Sequence, residues 1–393
     1  MQTDFKHYNF DQVIDRYDTN SIKWDFNQRT FGREDILPMW VADMDFPAPE
    51  AVVEALVNRA KHGIYGYSDG MDRYYESVID WMQKRHGWEI QKDWITFSPG
   101  IVPALNELVR SLTEPGDKIL VQFPVYPPFF NVVKNHKREL VGSQLILNNG
   151  WYTMDFTDLE EKFAGGVKMM ILCNPHNPVG RVWEKDELER LGQLCVAYGV
   201  LLISDEIHSD LIFEGYHHIP FLSLSSELAE HSIVCTAPSK TFNLAGLQTA
   251  NLLIPNAKYR HAFRASLNLT GINHPNVFGI TALEAAYRHG GNWLDQLMHY
   301  LLGNVKFLTS FLDRELPQIK AIQPEGTYLI WLNFRALGME PKALQKFLVH
   351  RAGVGLSAGH LFGPGGEGFA RLNFGCARSV LEEGLQRIKK AVQ

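Results

Sequence analysis

Apolar positions recur at helical spacing over PEAVVEALVNRAKH (49–62), which starts on proline, and DRYYESVIDWMQKRHG (72–87), which ends on a glycine suited to a C-cap. The pattern then changes. ITFSPG (95–100) reads as a strand running into a turn, and IVPALNELVRSLTEPG (101–116) as a helix that closes in Pro-Gly. KILVQFPVY (118–126), VKMMILCNPHNP (167–178), VLLISDEIH (200–208) and SIVCTAPSK (232–240) are short, nearly all-apolar runs ending in polar residues, with an amphipathic helix over DELERLGQLCVAYG (186–199) among them. Such runs, separated by helical patterns, predict a mostly parallel sheet covered on both faces. A long helical stretch follows over about 277–315. Strand alternation then returns in TYLIWLNF (327–334) and FARLNFG (369–375), the texture of a smaller α+β domain with its boundary inside the long helix near 285–295. The first forty or so residues have no clear period and read as an irregular arm ending at Leu37-Pro38-Met39-Trp40. No internal repeat or low-complexity segment is visible.

With 393 residues, 45% hydrophobic and 21% charged, the chain can bury a sizeable core and suggests two domains. A formal charge of −6 with both signs interspersed argues against nucleic acid or anionic membrane as a partner and favours a small molecule. Cys173, Cys195, Cys235 and Cys376 are far apart, with no C-x-x-C pair and no zinc-type spacing, so no metal site is expected and a reducing compartment is. The polar N-terminus and the lack of a long apolar run point to the cytoplasm.

Two familiar patterns carry no chemistry here. Gly355-Leu-Ser357-Ala-Gly359 matches a nucleophile elbow, but the one histidine after it, His360, is too near to be a distant triad partner. Gly363-Pro-Gly365-Gly-Glu-Gly368 matches a dinucleotide fingerprint, yet a strand-like pattern follows it and not a helix; it reads as a flexible loop.

The polar ends of the apolar strands suit one planar, phosphorylated, aromatic cofactor. Ser98-Pro-Gly100-Ile101-Val102 lies where a strand becomes a helix, a place for phosphate as well as a plain helix start. Tyr126 can stack on a ring or pack in the core. Asn177 offers an amide in what could be only a turn. Asp205 emerges at the end of a buried strand, where an unpaired anion is costly. Lys240 stands among small and apolar neighbours in CTAPSKTFNLAGLQ (235–248), where it either snorkels to water or is desolvated to become a nucleophile or base. Pyridoxal phosphate needs this set: a lysine for the covalent link, a carboxylate for the pyridine nitrogen, donors for the ring hydroxyl, a stacking aromatic and a helix N-terminus.

Asn177-Pro-Val-Gly180, Ser204-Asp205-Glu206-Ile207, Ser239-Lys240 and Arg371-Leu-Asn-Phe374, in this order and spacing, resemble the aspartate-aminotransferase superfamily of fold type I over nearly the whole chain. Leu37-Pro-Met-Trp-Val-Ala-Asp-Met-Asp45, Cys173-Asn-Pro-His-Asn-Pro178, Ser204-Asp-Glu-Ile-His-Ser-Asp210, Ala237-Pro-Ser-Lys-Thr-Phe-Asn243 and Gly363–Gly368 look more closely like the cystathionine β-lyase branch typified by the MalY and PatB proteins. His208 replaces the tyrosine common in aminotransferases, and Gln248 stands where they carry a phosphate-binding arginine.

The resemblance implies an α/β fold in which a mostly parallel seven-stranded sheet lies between helices and is joined by a smaller α+β domain. The implied divisions are an arm with part of the small domain (1–45), a large cofactor domain (46–287) and a small C-terminal domain (288–393). It implies Lys240 as the cofactor-linked base, with Asp205, Asn177, Tyr126, His208, Gly100, Ile101, Val102, Ser239 and Tyr67 around the cofactor. Arg371, Ala42 and Tyr328 would touch the substrate, with Trp40 a weaker candidate for the pocket wall and Glu206 and Asp210 structural. Tyr67 would reach the neighbouring active site of a homodimer. The expected reaction is α,β-elimination from cystathionine or a cysteine S-conjugate to a thiol, pyruvate and ammonia; an aminotransferase or a regulatory binding protein on the same scaffold is the alternative.

Overall fold

A computed structural model describes residues 7–272 and 274–393; the first six residues of the expected arm lie outside the described residues. Seven strands form the main sheet: β1 (Ile95–Ser98), β2 (Lys118–Phe123), β3 (Glu139–Gln144), β4 (Val167–Cys173), β5 (Leu201–Asp205), β6 (Ser232–Thr236) and β7 (Ala250–Leu253). Their order is β1-β7-β6-β5-β4-β2-β3. All run parallel except β7, which is antiparallel to both its neighbours. Every residue of β5 and β6 is buried, which explains their unbroken apolar pattern. Two of these strands lack a clear sequence signal. β3 is an edge strand with mixed exposure, and β7 is only four residues long.

Helices cover both faces. On one, α1 (Glu50–Lys61) and α2 (Asp72–His86) pack against α6 (Val277–His289). On the other, α3 (Ile101–Leu112) buries Ala104, Leu105, Leu108 and Val109 against the sheet and the helix Ala257–Leu269. Between them in the chain, α4 (Pro127–Asn135) and α5 (Lys185–Tyr198) are crossovers of the parallel strands. The helical stretch expected over 277–315 is two helices, α6 and α7 (Gly291–Glu315), parted at Gly290. A Cβ there would lie 2.4 Å from Phe242 and 2.5 Å from the Ala286 carbonyl oxygen, so only glycine allows the close approach.

The second sheet has β8 (Lys320–Ile322), β9 (Leu329–Asn333), β10 (Ser357–Ala358) and β11 (Phe369–Asn373) in the order β8-β9-β11-β10, all antiparallel, backed by α7 and α8 (Arg378–Val392). In the arm, Leu37–Pro38 pairs in parallel with Val354–Gly355, just before β10, as a separate two-stranded sheet. From residue 39 onward the arm passes between the two sheets. Lys23, only 1% exposed, anchors this passage through a 2.7 Å pair with Asp45, which also accepts from Arg16 and Trp24. Among the described residues no helix is long and apolar enough to cross a membrane, and no group of three metal-ligating side chains comes together.

Candidate active site

The carboxyl ends of β1, β2, β4, β5 and β6 open on one cavity of about 210 Å³, the position expected for a ligand in an open parallel sheet. Gly100, Ile101 and Val102 enter it after β1, Tyr126 after β2, Asn177 after β4, Asp205 and His208 from β5, and Ser239 and Lys240 after β6. Ala42 closes the cavity from the arm, and Gln248 completes it.

The parallel strands deliver each group directly. Asp205 is the last residue of β5, and Lys240 follows β6 after three residues that turn into the short helix Pro238–Thr241. Lys240 Nζ donates to the Ala42 carbonyl at 2.6 Å. Burial pushes its pKa down to about 8; Arg371 adds to the effect, while Asp43 and Asp205 oppose it. The amine thus turns onto the arm inside the cavity and not out to water. Burial also pushes the Asp205 carboxyl up to about 7, with partial relief from the Ile207 amide, which donates to Oδ1 at 3.1 Å, and from Lys240. His208 is pushed down to about 3 by burial and the nearby cations Lys240 and Arg371, so its ring is neutral, and its Nδ1 has no partner among the described residues.

Arg371 lies in β11, opposite Trp331 of β9 and Ser357 of β10. Its Nη1 donates to Asn177 Oδ1 at 3.0 Å, and Nη2 to the Trp40 carbonyl at 2.8 Å and Ser357 Oγ at 3.2 Å. Its Nε is buried without a partner among the described residues, and burial lowers the guanidinium to about 10. A buried cation with a spare donor beside a cavity suits an incoming carboxylate. Tyr328 is buried, stands edge-on to His208 with centroids 6.1 Å apart, and donates to the Ala42 carbonyl at 2.8 Å.

These features fit pyridoxal phosphate. Asp205 is an anion that burial holds close to neutrality for want of a cation, which a protonated pyridine nitrogen would be. The N-terminus of α3 has no side-chain cap, so the Ile101 and Val102 N–H groups are available to a phosphate. Tyr126, half-buried and with its pKa raised by desolvation, borders the same space.

Tyr67 is not in this cavity. It is fully exposed and lines a wide neighbouring cleft with Tyr65 and His274; Pro99 and Gln248 border both spaces. Trp40 contributes its carbonyl. Glu206 bonds Ser204, His218 and the Phe221 amide, while Asp210 bonds Trp81, His86 and Thr241. Ser357 Oγ is engaged with Trp40 and Arg371. The glycine loop 363–368, expected to be flexible, is tightly packed: a Cβ on Gly363 would meet Phe123 at 2.2 Å, and one on Gly366 would meet the Gly359 carbonyl oxygen at 2.0 Å.

Two residues escaped sequence reasoning although both lie inside quoted motifs. Asn243 Nδ2 donates to the Met44 and Phe46 carbonyls, and its Oδ1 accepts from the Met44 amide. Asn373 Nδ2 donates to the Val41 and Asp43 carbonyls.

The sequence pattern of the family described as aminotransferase class I and II matches residues 34–388, and the chain belongs to that family. Cystathionine beta-lyase PatB of Bacillus subtilis is 49% identical over 385 residues, covering 98% of this chain and 100% of PatB. Protein MalY of Escherichia coli is 34% identical over 390 residues, covering 98% and 99%. The crystal structure of cystalysin from Treponema denticola, which contains a pyridoxal 5'-phosphate cofactor, matches with a TM-score of 0.96 at 39% identity, covering 98% of this chain and 99% of that one. Within the family the chain falls in the MalY/PatB branch.

Proposed function

We propose that this chain is a pyridoxal-phosphate-dependent carbon–sulfur β-lyase that cleaves cystathionine or cysteine S-conjugates to a thiol, pyruvate and ammonia. The observation that carries this reading is the buried Lys240 amine, depressed to about 8, in one cavity with Asp205, raised to about 7. PatB, named a cystathionine β-lyase, supports the choice of reaction.

Pyridoxal phosphate, when bound, supplies an electron sink for charge released at the substrate Cα. Lys240 carries the covalent link and, once free, takes the Cα proton on Nζ; an amine depressed to about 8 has a substantial neutral fraction near neutral pH. Asp205 holds the proton of the pyridine nitrogen. Ile101, Val102 and Ser239 would hold the phosphate, Gly100 would let the chain turn beside it, and Tyr126 would hold the ring. Asn177 and neutral His208, which line the same cavity, would hold the polar groups of the ring. Arg371 grips the substrate carboxylate, using the Nε that has no partner among the described residues. Ala42 and Tyr328 border the substrate. With no arginine at Gln248, the phosphate leans on backbone N–H groups.

The same reading makes the protein a cytoplasmic homodimer whose Tyr67 reaches the neighbouring site. The fully exposed Tyr67, near the exposed Ile64, Tyr65 and Met71, supports a second copy as the cover. It also divides the chain into an arm (1–45), a cofactor domain (46–287) and a small domain (288–393).

Incubation with cystathionine should release pyruvate. Turnover that needs an added keto acid and yields no pyruvate would overturn the lyase in favour of an aminotransferase. Light scattering should give twice the chain mass, and mixing inactive Tyr67→Phe and Lys240→Ala chains should restore activity if sites are shared.

A further inference from the structure

The arm segment Trp40–Asp45 bonds both catalytic cations through its backbone. The Trp40 carbonyl accepts from Arg371 Nη2, and the Ala42 carbonyl accepts from Lys240 Nζ and from the Tyr328 hydroxyl. The intervening and following residues are clamped from both sides. Asn373, two residues after Arg371, donates to the carbonyls of Val41 and Asp43 on either side of Ala42. Asn243, three residues after Lys240, binds Met44 and Phe46 through three hydrogen bonds of 2.8 to 3.0 Å. The Arg16, Lys23 and Trp24 side chains hold Asp45, and Arg16 also pairs with Asp43 at 2.8 Å.

We propose that Asn243 and Asn373 are positioning residues that hold the Ala42 carbonyl as the docking point for the free amine of Lys240. An amine that donates one N–H to a fixed carbonyl has its lone pair directed elsewhere, here toward the cavity where the Cα proton is removed. The Tyr328 hydroxyl shares the same oxygen and so removes its remaining freedom. A carbonyl 2.6 Å from the amine favours the ammonium form, so loss of the docking point weakens the base's hold on a proton as well as its aim. The charged and titratable groups facing the amine are Arg371, Asp43, Asp205, His208 and Tyr328. Replacing either asparagine changes the charge of none of them, and Asp43 keeps its pair with Arg16. The inference rests on Lys240 being the cofactor lysine, and the test separates the two claims.

Asn243 has φ +59°, a left-handed conformation that glycine adopts freely, so Asn243→Gly removes the clamp without backbone strain. The companion is Asn373→Ala. The control is Asn304→Ala, since Asn304 is also fully buried and bonds the Phe374 and Cys376 carbonyls away from Lys240.

Full-length chain stripped of cofactor is labelled with trinitrobenzenesulfonate across a pH series, and Lys240 modification is followed by peptide mapping. The clamp variants should lower the labelling midpoint by about one pH unit, the value of one charge-assisted hydrogen bond. The reconstituted enzymes should lose about tenfold in kcat, with KM less affected. Asn304→Ala should lower the melting temperature and leave the midpoint in place. Clamp variants that melt lower with an unmoved midpoint would overturn the positioning role. If pyridoxal phosphate fails to protect Lys240 from labelling in the wild-type chain, the cofactor assignment itself is wrong.

Discussion

Replacing Asp205 by asparagine should make the cofactor-free protein more stable at pH 8 while abolishing its chemistry. Asp205 is buried at the end of β5, and its carboxyl titrates at about 7 against an ordinary 3.8. Between those values the folded chain binds a proton that the unfolded chain has released. Stability from this group is therefore fully present below about pH 4 and is lost as pH rises toward 7. Three pH units correspond to about 4 kcal/mol at the upper end. Asparagine has the same shape, still accepts from the Ile207 amide and carries no charge to bury. Its gain is somewhat less than about 4 kcal/mol, because Lys240 loses the attraction of a nearby anion. Urea unfolding of the two cofactor-free chains from pH 4 to pH 8 measures this directly. The curves should coincide near pH 4 and separate as pH rises, the variant being the more stable. With cofactor, the variant should lose about a thousandfold in kcat if the carboxylate contributes a comparable energy to the transition state. Equal stabilities at pH 8, or a more stable wild type, would refute the claim that burial of the Asp205 carboxylate is under-compensated by Lys240 and the Ile207 amide.

Lys240→Ala should abolish the cofactor's visible absorbance and pyruvate release together; retained absorbance with a lysine-like spectrum would point to another lysine. Arg371→Lys should raise KM for cystathionine at least about tenfold, because an ammonium cannot reproduce the fork held by Asn177 and Trp40; an unchanged KM would move the carboxylate site elsewhere. Lys23→Met strands Asp45 with one cation fewer in a buried site and should cost about 3–5 kcal/mol in unfolding free energy. A loss under 1 kcal/mol would mean that Arg16 alone suffices.

Strands β2, β4, β5 and β6 were legible because burial on both faces leaves a short apolar run, and the polar residue ending each run announced the cavity. β3 was hidden by its mixed edge exposure and β7 by its shortness. Asn243 and Asn373 were hidden for a different reason. Their partners are backbone carbonyls of the arm, far away in sequence, and a carbonyl leaves no trace in residue identity. Lys23 shows the same limit, since its burial depends on Asp45 arriving from a segment that has no periodicity of its own. The glycine loop at 363–368 was misread because close packing against Phe123, Gln144 and Arg335 requires the same residue that mobility would.

The single antiparallel strand sets an order for assembly. β1 pairs with β7 alone, Ile95 opposite Leu253 and Ser98 opposite Ala250, so the strand leading to the α3 cradle has no sheet partner until residue 253 has emerged from the ribosome. Lys240 lies on the stretch that connects β6 to β7. The phosphate cradle and the lysine thus flank one long-range pairing, and non-local pairings of this kind form slowly. Cofactor capture can complete only after that pairing, which makes β7, a strand with no residue named in the chemistry, the gate between a nascent chain and a working enzyme.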